Sequence, residues 1–393
     1  MKKLWFILMA GLCLLVPQVV ADDDEAFDSP SSRRSAKSKS RAKDKVKDRD
    51  VRKAASRKRK ELRDMGVKNV RVKSPGDWPR KVSVPKATEV SVSQPPAGVQ
   101  GNYYTSNHFC YISPVALDPA AQKTVARLCE CAYAANKAIG EVLPVPRTAV
   151  DRGDKKFVVQ LWPNKESYVA NGGPANSAGV FVGAMRRVVS TNPDAPRRVV
   201  SEEDIVMDKV MIPFPSLGLG SNGKVQSEDI NTHALVHELT HQQFLLNVLP
   251  IWANEGWAEY VGYVPYVGED LDFDRGFALI LHAAKAFSEN GALDFDFPLA
   301  DFFTMDQQTM YGYMPQGKNT YMLAAMTVAF YVHLDGKRGV EAMKSYMQAL
   351  IDGATHEEAA EKLIAPYKTS ARLQQAFIRA WKGKKVKVSF PKK

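Results

Sequence analysis

Five consecutive residues, His237-Glu238-Leu239-Thr240-His241, constrain this chain more than any other feature of it. Residues i and i+4 share one face of an α-helix, so a helix through this stretch sets two imidazoles side by side. Imidazoles so placed can grip one metal ion. Glu238 stands next to them, able to hold and deprotonate a water that the ion acidifies. The spacing therefore predicts metal-assisted hydrolysis, with Zn2+ as the expected ion. Histidine is scarce, seven in 393 residues, so the pattern is not a by-product of composition.

Two imidazoles and a water do not complete a catalytic site, which needs a third protein ligand. The stretch Trp252-Ala253-Asn254-Glu255-Gly256-Trp257-Ala258-Glu259-Tyr260 offers one. Glu255 and Glu259 are four apart and share a helix face. One can ligate while the other orients a ligand histidine through its second ring nitrogen. The residues alone leave open which does which. Pro250 interrupts the chain between the two helices and lets the second fold back onto the first.

H-E-L-T-H followed by N-E-G-W-A-E-Y resembles the gluzincin clan of zinc peptidases, most of all the peptidase-MA-like families of exported bacterial proteins. The resemblance rests on about 25 residues, with a weaker likeness in strand and helix order from His108 to the C-terminus. It implies that Glu255 is the third zinc ligand and that Glu259 supports the first histidine. It also implies an oxyanion role for Tyr321, which lies 66 residues after Glu255 and opens an apolar helix. A phenol is a suitable neutral donor to a developing alkoxide. The chain departs from the aminopeptidase branch at Gly183-Ala184-Met185-Arg186-Arg187, where an arginine stands in place of the acid that would bind a free amine. That segment is 54 residues upstream of His237, and the echo is set aside as coincidence. The interval from His241 to Glu255 is also shorter than in thermolysin-like enzymes.

The amino terminus reads as a signal peptide over residues 1–21: Lys2 and Lys3, an apolar run from Leu4 to Val20 broken by Gly11 and Pro17, and a small residue at Ala21 before Asp22-Asp23-Asp24-Glu25. Cys13 lacks the context of a lipid-anchored cysteine, and no later run is long enough to span a membrane. A secreted or periplasmic protein of a bacterial cell envelope is expected. Between Ser31 and Lys73 stand nineteen Lys and Arg against five Asp and Glu, so the net charge of +11 belongs to that segment and not to the rest. Prolines 75, 79, 85, 95 and 96 follow. Residues 22–100 are therefore expected to be a disordered basic, then proline-rich linker, too poor in apolar side chains to offset its ordering entropy. As an arm, residues 31–73 could adhere to anionic polymer.

Residues 101–393 are expected to form one α+β domain, gluzincin-like, with a small mixed sheet, an active-site helix and a helical C-terminal part. Strands are expected at Tyr103 to Tyr111, Lys156 to Trp162, Gly179 to Ser190 and Ile205 to Pro213. A helix is expected from Asp118 to Gly140, capped by Asp118, opened by Pro119 and ended by Gly140. Helices follow at 229–246, 252–264, 274–289, 318–334, 339–351, 356–364 and 369–381. Cys110, Cys129 and Cys131 remain after leader removal. A bridge from Cys110 to one of the others is the plausible pairing in an oxidising compartment. His108, His282, His333 and His356 lack a ligand-spaced partner and read as surface or packing residues. Tyr260, Tyr263 and Tyr266 read as core more readily than as a cleft floor.

The expected activity is hydrolysis of peptide bonds, with Glu238 as general base and a peptide or protein as substrate. Two rivals stand beside it: a cell-envelope binding or structural protein that keeps zinc for stability, and a zinc hydrolase of a non-protein amide. A general base beside a ligand set with an open position favours an enzyme, since structural zinc sites are usually closed by a fourth protein ligand.

Overall fold

The computed structural model describes Ile7–Leu8 and residues 78–83, 90–144, 155–185, 205–226, 232–244, 249–267, 270–288, 293–314 and 319–391. The basic segment 31–73 lies outside these residues, as does the expected leader except for Ile7–Leu8. In chain order, β1 (Ile7–Leu8), β2 (Lys81–Ser83), β3 (Ser91–Ser93), β4 (Asn102–Thr105) and β5 (Phe109–Ser113) precede a long helix, α1 (Pro119–Val142). The strand-rich half is completed by β6 (Phe157–Trp162), a short α2 (Lys165–Ala170), β7 (Val180–Met185) and β8 (Ile205–Pro213). Next come α3 (Thr232–Phe244), α4 (Ile251–Gly262), β9 (Tyr266–Val267), β10 (Asp270–Asp272), α5 (Phe273–Phe287) and β11 (Leu293–Asp294). The short α6 (Leu299–Phe302) and α7 (Gln307–Gly312) lead into α8 (Thr320–Ala329), which runs on as a π turn over Phe330–Leu334. The chain closes with α9 (Gly336–Ile351), α10 (His356–Ile364), α11 (Ser370–Gly383) and β12 (Val388–Ser389).

The main sheet has the order β1-β7-β8-β6-β5-β4-β3. Strands β8, β6 and β5 run parallel and the other neighbours antiparallel. Strands come first and helices later, so the fold is mixed α and β with the segregation that the sequence order suggests. Strand β6 shows how local pattern becomes layer: its burial alternates along Phe-Val-Val-Gln-Leu-Trp, because successive side chains point to opposite faces. At the far edge, β1 contributes two residues paired with Gly183 and Val182. A chain that had lost its first 21 residues would present β7 as that edge.

Several boundaries move for identifiable reasons. The stretch from Tyr103 to Tyr111 is two strands, because a turn closed by Ser106 N–H on the Phe109 carbonyl (2.9 Å) folds β4 back against β5. Helix α1 starts as expected, with Asp118 accepting from the Ala121 amide and a proline in the first turn. It does not end at Gly140. It runs to Val142 and stops where Leu143, extended at φ −116° and ψ 138°, meets Pro144. Cys110, Cys129 and Cys131 are all buried and no disulfide joins them, so the expected bridge from Cys110 to one of the other two is not formed.

The largest correction concerns the linker. Trp78, assigned by composition to a disordered segment, is 2 % exposed and belongs to the main hydrophobic core. Its ring stacks on Trp257 at 6.2 Å, and its Nε1–H donates to the Tyr260 hydroxyl at 2.9 Å. That hydroxyl also bonds His333 Nε2 at 2.8 Å. Burial holds His333 down at about 3, so the ring is neutral and joins the chain of hydrogen bonds as packing. Three residues on, β2 pairs antiparallel with β10, itself paired with β9. The folded body thus includes residues 78–83, and β3 adds a further edge strand from residues 91–93. One tryptophan and one three-residue strand are too little to alter the average polarity of an eighty-residue segment, which is why composition passes over them.

Helix α3 carries the H-E-L-T-H motif and is buried from Ala234 to Phe244. It lies against α1, α4, β7 and β8, so it is enclosed on all sides and shows little amphipathic pattern. Helix α4 begins after Pro250 and packs back against α3. Its other side meets α8 at close range: a Cβ on Gly256 would stand 2.9 Å from the Ala324 carbonyl oxygen. The glycine of N-E-G therefore lets the helix bearing Glu255 approach the helix that Tyr321 opens. No helix among the described residues is long and apolar enough to cross a membrane.

Candidate metal centre

Helices α3 and α4 bring His237, His241 and Glu255 to one point. His237 Nε2 and His241 Nε2 are 2.9 Å apart, and Glu255 Oε2 lies 3.4 Å from each. All three side chains are essentially out of solvent. The second nitrogen of each ring has its own partner. His237 Nδ1 is 3.2 Å from Glu259 Oε1, and His241 Nδ1 is 3.1 Å from Asn254 Oδ1. A proton on each Nδ1, where an acceptor stands, would leave the two Nε2 lone pairs facing each other and a carboxylate oxygen. Three acceptors converging in a dry pocket repel one another unless a cation lies among them. The residues His237, His241 and Glu255 could hold a metal ion, and among the described residues this group includes no fourth histidine, cysteine, aspartate or glutamate.

The electrostatics agree with that donor set. Burial works against charge on His237, yet the carboxylates of Glu255 and Glu259 outweigh it and hold the imidazole well above its ordinary range. For Glu255 the order is the same: burial raises it, and the two imidazoles pull it down to about 2. Glu259 is likewise held low against burial, by His233 first and then His237.

Glu238 points to the sheet side. Its Oε2 accepts the Phe181 backbone N–H of β7 at 2.6 Å, while Oε1 is buried without a hydrogen-bond partner. Burial raises the carboxyl, with Glu255 adding to the rise and the two imidazoles opposing it. A carboxylate fixed by one oxygen and free at the other, with its affinity for protons raised, suits proton transfer. The strand that fixes it is the one containing Gly183-Ala184-Met185. Separation in sequence argues against a part for that segment in the site, yet sheet pairing puts its strand along the site wall. Arg186 and Arg187 lie outside the described residues.

Tyr321 opens α8 and is 5 % exposed. Its hydroxyl feels both Glu255 and Tyr311, which with burial keep the phenol protonated, but it makes no well-formed hydrogen bond. Tyr311, on α7, stacks on Tyr321 at 6.0 Å and 11° and donates to Glu255 Oε1 at 3.0 Å. Tyr260 is core, and Tyr263 and Tyr266 pack against the core.

Three residues at the centre escape the motif reading. Asn254 precedes the glutamate of N-E-G and supports His241. His233, one turn before His237, lies 3.3 Å from Glu259 Oε2, so Glu259 bridges two imidazoles. Its spacing to His237 repeats that of H-E-x-x-H, a signal that could have found it. Tyr311 sits on a six-residue helix, and the cue for that helix is Asp306, which caps the Thr309 amide. Comparisons of the chain with protein-family models, with curated proteins and with solved structures find no match.

Proposed function

We propose that this chain is an exported zinc-dependent peptidase of gluzincin type, hydrolysing peptide bonds with Glu238 as general base. The observation that carries the proposal is the convergence of three lone-pair donors beside a buried, unengaged Glu238 oxygen on a carboxyl that feels all three electrostatically. Donors about 2.0–2.1 Å from a tetrahedral zinc stand about 3.3 Å apart, close to the separations of Glu255 Oε2 from the two ring nitrogens. Two nitrogens and a carboxylate oxygen are a set that zinc accepts. A fourth position left to solvent belongs to catalytic zinc and not to structural zinc.

Bound by His237, His241 and Glu255, zinc would supply Lewis-acid polarisation and acidify water at neutral pH. The chain's own groups do the rest. Glu259 and Asn254 fix the tautomers and orientation of the two imidazoles. Glu238, anchored by the Phe181 amide, takes the proton of the attacking water on its free oxygen and passes it to the leaving amine. Tyr321 supplies a neutral phenol, kept protonated by burial and by Glu255, to the oxygen that becomes negative. The enclosing helices keep bulk water from competing.

The test is zinc content of the purified protein together with cleavage of a broad peptide library. One zinc per chain and cleavage abolished by a chelator and restored by zinc are expected. A protein that binds zinc and cleaves no peptide would overturn the peptidase reading and leave the two rivals, a structural or binding zinc protein and a hydrolase of a non-protein amide.

The ligand assignment makes a graded prediction. Alanine at His237, His241 or Glu255 empties the site. Alanine at Glu259 weakens zinc binding by about 10–100-fold, the scale for a group that orients a ligand. Equilibrium dialysis of the four variants reads this directly, and loss of zinc from Glu259→Ala with retention in Glu255→Ala would reverse the two roles. Tyr321→Phe keeps zinc and loses about 10²–10³ in kcat, the scale for one oxyanion donor. Wild-type kcat in that variant would make Tyr321 a packing residue.

A further inference from the structure

Glu255 presents its two oxygens to different neighbours. Oε2 faces both imidazole nitrogens, while Oε1 accepts the Tyr311 hydroxyl at 3.0 Å. A carboxylate that ligates through one oxygen takes one coordination position. Through both it takes two, and the position that hydrolysis needs is crowded. Tyr311 is built in where it stands. Its helix is capped by Asp306 on the Thr309 amide. Its neighbour Met310 is fully buried, and the Met310 carbonyl accepts from Thr320 Oγ1 at 3.1 Å, tying α7 to the start of α8. Its ring lies nearly parallel to that of Tyr321. The phenol is thus held at one edge of Glu255 by two helices and a ring stack.

We propose that Tyr311 is a positioning residue that caps the second oxygen of Glu255, restricts that carboxylate to one-oxygen ligation, and so keeps a coordination position open for water or substrate. The inference rests on the zinc reading above and concerns the geometry of the same centre. A phenol that only satisfied a buried carboxylate would affect folding stability; this one sets the coordination number of the ion.

Tyr311→Phe removes the hydroxyl and keeps the ring and its stacking. Two quantities are measured on full-length protein: zinc affinity by chelator competition, and the visible absorption of the cobalt(II)-loaded form. Its d–d bands are strong in four-coordinate sites and weak in five- or six-coordinate ones. Wild type should give the strong bands. Tyr311→Phe should bind zinc about tenfold or more weakly, at the scale for an orienting partner, with weakened cobalt bands. Tyr321→Phe should keep the wild-type cobalt spectrum, since Tyr321 makes no bond to Glu255. Wild-type affinity and spectrum in Tyr311→Phe would sink the proposal while leaving the zinc centre standing. So would equal losses in both tyrosine variants, which would point to packing of the ring pair. Weak cobalt bands in wild type would overturn one-oxygen ligation without any variant, including the case where Tyr311→Phe fails to fold. A wild type that takes up neither ion removes the metal centre itself, and with it this inference.

Discussion

Glu238→Gln will leave the metal site filled and hydrolysis lost. The side chain makes one hydrogen bond to protein, as acceptor from the Phe181 amide at 2.6 Å. A glutamine carbonyl can accept the same bond, so strand and helix stay in place. The other oxygen, buried and unpartnered, becomes an amide NH2 that cannot take a proton from water. The ligands His237, His241 and Glu255 are untouched. General base catalysis contributes about 10²–10⁴ in rate, and in a site where the same carboxylate also returns the proton to the leaving amine the loss should reach the upper end. Zinc content by elemental analysis and single-turnover cleavage of a good substrate are the two measurements. Persistent cleavage by a zinc-loaded Gln variant would remove Glu238 from the chemistry. Loss of zinc would show that Glu238 shapes the site instead of acting in it.

The second large effect is on stability, and it comes from a residue far from the motif in sequence. Trp78→Ala should destabilise the protein by about 3–5 kcal/mol, the range for deleting a large buried aromatic. A typical domain has only about 5–15 kcal/mol in total. The loss would be felt at the site, because Trp78 touches Trp257 and Tyr260 on the helix that carries Glu255 and Glu259. Deleting the chain up to Gly101 removes Trp78 and also strips β2 from β10 and β3 from β4. A chain beginning at Ser74 should melt like full-length protein. One beginning at Gly101 should melt lower by roughly 10 °C or more, with weaker zinc binding. Equal melting temperatures for the two would show that Trp78 is dispensable and that the boundary near residue 101 is the right one.

Legibility followed the range of the interaction. His237 and His241 could be read because their partnership is one helical turn long and needs only the helix. The cap of α1 by Asp118 and that of α11 by Thr369 are equally local. Where a competing local signal existed, reading failed by a few residues: Gly140 invites a helix end, but Pro144 sets it. Beyond one element the sequence is silent about geometry. Asn254 and Glu255 are adjacent, yet only the packing of α4 on α3 gives one to a ring Nδ1 and the other to both Nε2 atoms. Tyr311 has no spacing that marks it, because it meets Glu255 across 56 positions on a separate short helix.

The strand β7 makes the same point from the other side. Its distance from the motif argued against any role, while sheet pairing carries it to Glu238. By itself, then, the sequence determined the mixed strand-then-helix order and the helix bearing the paired imidazoles. These follow from periodicity, capping and side-chain identity, which act over a turn or two of chain. The tertiary structure alone decided which groups hold each imidazole, which amide anchors Glu238, which phenol caps Glu255, and that Trp78 belongs to the core. Those contacts form between segments far apart in sequence. They depend on the mutual approach of whole elements, set by burial of the shared core and by a close crossing such as that at Gly256.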